Sequence, residues 1–385
     1  MFESKWNLNR CVLSAFEFFF DTQSEKKPVI AVAKIIVPSQ LYRNLVALLN
    51  FNQKQSLNYT MEKYMRILSL ILMSAFLCHP AISAEIILKA GHSANADEPY
   101  HIGLQKFAEI VETKTNGRVE IQIFPNNQLG NEKEMVEGIL LGTVDITVPS
   151  NGIVTNFVPE LGIFDLPFLF NDRPHMYSVM DGPVGEQLSL VMRGKGFRLL
   201  GFYEAGVRHI MTRTKPINSI GDLEALKIRT MGIPAHVASF NAFGAKATPM
   251  AYSELYGALQ SGVVDGAEAA NTNYNSKKFY EVAPNWAQIG WTALVSDLIM
   301  SEKKFNSLPA DIQTILLEAG LESATAERKA YSDSDNSLLS SLKAKGVKVT
   351  YPDAAPFRKA SQPVYDEFVK TPAQKKVLEM IMASQ

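Results

Sequence analysis

Cysteine is almost missing from these 385 residues: Cys11 and Cys78 are the only two, and both precede Glu85. From Glu85 onward the chain therefore has neither a disulfide nor thiol chemistry available to it. Net charge is lacking as well. Thirty-eight basic residues against 39 acidic ones leave a formal charge of -1, and no long-range field draws such a chain onto nucleic acid or an acidic membrane. A search for catalytic constellations finds no Gly-x-x-x-x-Gly-Lys-Ser/Thr loop, no Gly-x-Ser-x-Gly elbow and no His-Glu-x-x-His. The histidines stand singly, and His92, His101, His175, His209 and His236 have no ligand spacing, so each reads as a hydrogen-bonded or surface residue. No metal and no other cofactor is expected. Carboxylate pairs such as Glu132 with Glu134 fall on a helix whose exposed face carries charge in any case. Together these absences argue against an enzyme and leave a neutral or singly charged small molecule as the partner.

Long hydrophobic runs are scarce too. Ile67 to Cys78 is nearly unbroken apolar sequence, but its 12 residues fall short of the roughly 20 that a membrane-spanning helix needs. Lys63 and Arg66 before it and Ala81-Ile82-Ser83-Ala84 after it complete the three parts of a cleavable secretory signal over residues 61–84. Phe76 and Leu77 stand where a lipidation site at Cys78 would need small residues. Export to the periplasm follows as the expectation. Residues 1–60 show no coherent period, and a signal of this kind works at an N-terminus, so the expected native start is Met61.

What the chain does have, from Glu85 on, is alternation of strands and helices, with 46% hydrophobic and 20% charged residues overall. That pattern predicts an α/β fold with largely parallel sheets, in two lobes on grounds of length. Ile86 to Ala90 reads as a first strand. Leu104, Phe107, Ala108 and Val111, at i, i+3, i+4 and i+7, mark one face of a helix stopping near Asn116-Gly117. Arg118 to Phe124 alternates like a half-buried strand near a sheet edge. A helix over Glu132–Leu141 ends at Gly142-Thr143-Val144-Asp145, and Ser253–Ser261 ends at Gly262-Val263-Val264-Asp265, 120 positions later. The two helix-to-strand units suit two lobes of related build. Pro309 to Lys345 has no internal proline and predicts one long helix along both lobes; Gly320 and Ser332–Ser337 are where it would bend or break.

The most informative stretch is Leu226 to Pro234: a short alternating strand, a turn, and a helix starting at Pro234. In an open α/β sheet the carboxyl end of such a strand faces the ligand crevice, and Arg229 sits at that end. Its planar fork matches both oxygens of a carboxylate. On spacing alone, a surface ion pair remains the alternative.

Five separated motifs carry a resemblance. Gly130 to Asp145, Phe164 to Phe170, Leu226 to Arg229, Thr248 to Tyr256 and Val264 to Glu268 together resemble, in order, the substrate-binding proteins of TRAP transporters, the DctP family. The resemblance runs over Glu85 to Val369. It implies a two-lobe periplasmic-binding-protein-like fold with crossing hinge strands and a long helix spanning both lobes. It divides the chain into lobe I over 85–207 with part of about 297–330, lobe II over 208–296 with part of the C-terminal region, the spanning helix at 309–345, and a C-terminal strand and helices over 346–385. The implied function is capture of a small organic acid in the cleft and delivery, as a monomer, to the small and large subunits of a sodium-coupled TRAP permease. A sensor subunit of the same fold, feeding a signalling receptor, is the alternative. By resemblance Arg229 makes the two-point salt bridge to the ligand, and Arg208 either assists it or forms a hinge ion pair. His92 and Ser93 in the first loop, Ser150 and Asn151 after a strand end, Glu132, Tyr252, Glu268 and Trp291 are the other implied ligand contacts. Many relatives have an asparagine where this chain has Ala269, and Asn271 or Asn273 is the expected substitute.

Overall fold

A computed structural model describes residues 84–384. The expectations for residues 1–60 and for the export signal, apart from Ala84, lie outside the described residues, as do both cysteines. Among the described residues no helix is long and apolar enough to cross a membrane.

The first lobe is built from β1 (Ile86–Gly91), α1 (Pro99–Lys114), β2 (Val119–Phe124), α2 (Glu132–Leu141), β3 (Ile146–Thr147), α3 (Asn151–Val154), α4 (Arg173–Met180) and α5 (Pro183–Gly194). The 16-residue β4 (Phe197–Thr212) leads into the second lobe: β5 (Lys227–Thr230), α6 (Pro234–Ala242), β6 (Lys246–Pro249), α7 (Leu255–Ser261), β7 (Gly266–Ala269) and α8 (Asn271–Ser276). The 17-residue β8 (Asn285–Ser301) returns to the first, followed by α9 (Glu302–Ser307), α10 (Ala310–Ala344), β9 (Lys348–Thr350), α11 (Ala355–Ala360), α12 (Gln362–Phe368) and α13 (Pro372–Ala383).

Local sequence explains these boundaries. Helix α1 buries Leu104, Phe107 and Val111 on one face, and Asn116 and Gly117 then turn the chain with φ of 52° and 76°. Helix α2 starts with a reciprocal cap, Asn131 with Glu134, and stops at Gly142 in the left-handed conformation, φ 79°. Gly262 ends α7 in the same way, φ 80°. The alternating strand β2 is the sheet edge that its pattern predicts.

The nine strands run in the order β2-β1-β3-β8-β4-β7-β5-β6, with β9 on β8. Pairing is parallel at β1–β2, β1–β3, β5–β6, β5–β7 and β8–β9, and antiparallel at β3–β8, β8–β4 and β4–β7. The expectation of largely parallel sheets is thus corrected. Two parallel fans are joined by an antiparallel ribbon, because β4 and β8 cross from lobe to lobe in opposite directions and pair in both.

That ribbon is irregular where it passes between the lobes. Its register shifts between Glu204 and Val207 and again between Arg208 and Ile210. Gly206 at the first shift has φ +81°, and Gly290 opposite the second has φ +62°, conformations that side-chain-bearing residues rarely adopt. Bulges of this kind bend a strand and re-aim its side chains.

Helix α10 is continuous over 35 residues, about 52 Å at about 1.5 Å per residue. Neither Gly320 nor Ser332–Ser337 breaks it. Ile312, Leu316, Ala319, Ala324 and Tyr331 join the core of the first lobe, and Leu342 joins one of the two cores of the second. The C-terminal segment crosses again: Phe357 packs with Phe243 and Trp291, whereas Val364, Val377 and Ile381 pack into the first lobe.

Gly320 survives mid-helix because α10 lies hard against β4. A Cβ there would stand 2.2 Å from the Leu200 carbonyl oxygen. Gly320→Ala should therefore destabilise the protein by about 1–3 kcal/mol in denaturant unfolding, although alanine gains about 1 kcal/mol in helix propensity. Gly257→Ala in α7, where nothing lies within 4 Å of the added Cβ, should stabilise it.

Candidate ligand-binding site

A cavity of about 370 Å³ lies between the lobes, outside the carboxyl ends of β1, β3, β5 and β6. That is where open α/β sheets present their ligand crevices. Arg229 reaches it from β5, Arg208 from the ribbon just past Gly206, and Tyr252 from the turn after β6. Lobe I supplies Ser93, Ser150 and, at the start of α2, Glu132. A larger and more open concavity between α6 and α12, about 550 Å³, has Glu367 as the sole charged residue in its lining. It offers an anion nothing to pair with.

The arginines differ in how their donors are used. Arg208 gives Nε to Glu268 Oε2 at 2.7 Å, and one terminal nitrogen to Ala205 O at 3.0 Å and Asn273 Oδ1 at 3.2 Å. Arg229 gives Nε and one terminal nitrogen to a single neutral acceptor, Met250 O, at 3.1 and 2.8 Å. Its other terminal nitrogen is 3.8 Å from Glu268 Oε1, too long for a hydrogen bond, and that carboxylate oxygen has no hydrogen-bond partner. Burial pushes the Glu268 carboxyl up, but Arg208 overrides it and holds the group below its ordinary value. Burial lowers Arg229, Glu268 offsets part of this, and like-charged Arg208 adds to the lowering. Arg229 is 1% exposed. A guanidinium so buried, beside a second cation and lacking an anion at bonding distance, is electrostatically incomplete.

Across the cleft, Glu132 is held at both oxygens. Oε1 accepts from Ser93 Oγ at 2.7 Å and Oε2 from the Ser150 N–H at 3.1 Å. Near the rim, Lys277 of lobe II donates from Nζ to Asn95 Oδ1 and Asn126 Oδ1, both at 2.6 Å, while Asn95 donates to Ser276 O at 3.2 Å. Asn273 Nδ2 reaches Glu98 from the same helix.

Of the residues named from sequence, Arg229, Arg208, Ser93, Glu132, Ser150 and Tyr252 line the cavity, and five others do not. His92 is buried with Nε2 3.1 Å from His101 Nδ1. Asn151 donates to Leu161 O and Asp165 Oδ1, both at 3.1 Å. Glu268 is fully buried behind the arginines that it organises. Asn271 accepts from Trp286 Nε1 at 2.8 Å and Gln288 at 3.0 Å, so it is Asn273, not Asn271, that faces the cavity near Arg208. Trp291 sits in a lobe II core against Phe240, Phe243 and His236. Sequence reading missed Tyr100 and Tyr331, which meet edge to face at 6.3 Å on the cavity wall. They lie on α1 and α10, 231 positions apart, and nothing local to either helix brings them together.

A two-lobed ligand receptor, with its cleft built around a buried arginine that has no anion at hydrogen-bond distance, is the class of protein that these features define. Residues 90–371 match the model of the bacterial extracellular solute-binding protein family 7, DctP, and the chain belongs to that family. A solute-binding protein of Verminephrobacter eiseniae is 37% identical over 304 residues, 79% of this chain and 90% of its own. Among solved structures, a TRAP periplasmic solute-binding protein from Polaromonas bound to D-erythronate superposes with a TM-score of 0.75 at 36% identity, covering 77% of this chain and 98% of that one. One from Sulfurospirillum deleyianum with bound succinate gives 0.74 at 35% identity, covering 78% and 100%. The protein is thus a solute-binding receptor of this family and not an enzyme.

Behind the arginines, His236 is buried against Trp291 with both ring nitrogens unpartnered. Burial, with Arg208 and Arg229 acting against Glu268, lowers its pKa from 6.5 to about 4. The unfolded chain binds this proton and the folded one does not, so its contribution to stability is complete above pH 6.5 and is lost as pH falls towards 4. His236→Phe should flatten the acid side of the stability profile in that window, by up to about 1.4 kcal/mol per pH unit in denaturant titrations.

Proposed function

We propose that the protein, exported by cleavage of its 61–84 signal, binds one small organic acid with its carboxylate on Arg229, closes its lobes over it, and presents the closed form as a monomer to the small and large subunits of a TRAP permease. The carrying observation is Arg229 itself: buried, lining the cavity, with donors to spare and no anion within hydrogen-bond distance. A ligand carboxylate supplies the missing charge, and charge-assisted bonds in a site closed to water are strong. Arg208, committed to Glu268, Ala205 and Asn273, adds field more than free donors.

Two measurements test this. In a thermal-shift screen against organic acids, at least one acid should stabilise the protein by several degrees, and Arg229→Ala should erase that shift while leaving the unliganded Tm within a few degrees; a retained shift would defeat the assignment. Lys277→Ala removes the clasp to Asn95 and Asn126 and should weaken the same ligand about tenfold, chiefly through faster release in stopped-flow traces.

A further inference from the structure

Glu98 stands where α1 begins, yet its side chain makes no capping bond to that helix. An N-cap side chain ordinarily accepts from a backbone N–H in the first turn. Glu98 turns elsewhere: one oxygen accepts from the Asn95 N–H at 2.8 Å, and the other from Nδ2 of Asn273, which lobe II carries on α8. The residue is 2% exposed, and burial pushes its carboxyl above the ordinary value against the pull of Asn95, Lys277 and Asn273. Burying an ionisable group is costly unless it is hydrogen-bonded, and part of the enclosure here belongs to the other lobe. The arrangement is whole only while the lobes touch.

Asn273 carries this contact to the cavity. Its Oδ1 accepts from a terminal nitrogen of Arg208 at 3.2 Å while its Nδ2 donates to Glu98, so a cation on one side and a carboxylate on the other fix which way the amide points. Turned over, it would set donor against donor and acceptor against acceptor. Arg208 and Asn273 line the cavity, and Glu98 is not part of its lining. Glu98 therefore sits behind the wall, joined to Arg208 by a chain of hydrogen bonds that crosses from lobe I to lobe II. The bonds of Lys277 run beside this chain at the rim and end on Asn95 and Asn126 of lobe I.

We propose that Glu98 is a positioning residue: through it lobe I holds Asn273 against Arg208, and it sets the lifetime of the liganded form without touching the ligand. This rests on Arg229 holding the ligand carboxylate and adds the residue that ties the opposite lobe to the site. D-erythronate, D-galacturonate and succinate serve as probes, and the one that binds the wild type tightest is followed by stopped-flow. Glu98→Ala should speed its release about tenfold and leave the association rate within about twofold. Glu98→Gln, of the same size but with one acceptor oxygen, should fall between the two and supplies the reading should Glu98→Ala fail to fold. In an Asn273→Ala background, Glu98→Ala should accelerate release by less than about threefold, because the partner is already gone. Release unchanged in both Glu98 variants would overturn the proposal, and so would an equal effect with and without Asn273. A lowered unliganded Tm with release unchanged would mark a residue that only supports α1, and would overturn it too. Arg229→Ala separates the two ideas. If that variant keeps the probe, the carboxylate reading falls; if it loses the probe while Glu98→Ala releases it at the wild-type rate, only the role of Glu98 falls.

Discussion

Two guanidinium groups and one carboxylate are buried together at the back of the cleft, and the charge does not balance. Glu268 closes on Arg208 at 2.7 Å and leaves Arg229 at 3.8 Å. A buried cation without an anion at hydrogen-bond distance is costly to hold, so this one persists only where surrounding structure holds it in place and an anion can complete it. Backbone position does the holding: Arg229 is on a strand paired on both sides, and its donors are anchored on Met250 O at the end of the next strand. The same parallel pairing that builds lobe II therefore aims the charge outward from the sheet end.

The ribbon ties this charge to the junction between the lobes. Arg208 follows Gly206, where a register shift turns the strand between the lobes, and its link to Ala205 O ties the guanidinium to that bend. Helix α10 runs behind both lobes and brings Tyr331 to the cavity wall, while Asn273, on a helix packed against α10, joins Arg208 to Glu98 of lobe I. Rigid lobes with a few irregular residues between them are the usual apparatus of hinge closure. Hinge and clasp here share residues: Arg208 bonds Ala205 O at the bend and Asn273, which in turn reaches Glu98 of lobe I.

Much of the architecture was legible from the chain. The α2 and α6 starts, the glycine stops at Gly142 and Gly262, and the unbroken α10 follow from caps, proline position and apolar spacing, all of which act over a few residues. The antiparallel ribbon was not legible. Strand direction depends on which lobe the chain is returning to, and nothing local to Phe197–Thr212 or Asn285–Ser301 encodes that.

At the site, sequence determined the chemistry available: an arginine at a strand end before a helix, a glutamate opening α2, and no catalytic constellation. Tertiary structure decided which of these groups meet. Trp291, which by resemblance contacts the ligand, and Asn271, one expected substitute for the asparagine missing at Ala269, are spent on core packing and on Trp286. Glu268 turns from ligand contact to the internal partner of Arg208. Tyr100 and Tyr331 enter the wall only because α1 and α10 pack side by side. Residue type sets what a side chain can bond, and its charge travels with it; burial and partner are properties of the folded surroundings, settled by groups from 15 to 231 residues away along the chain.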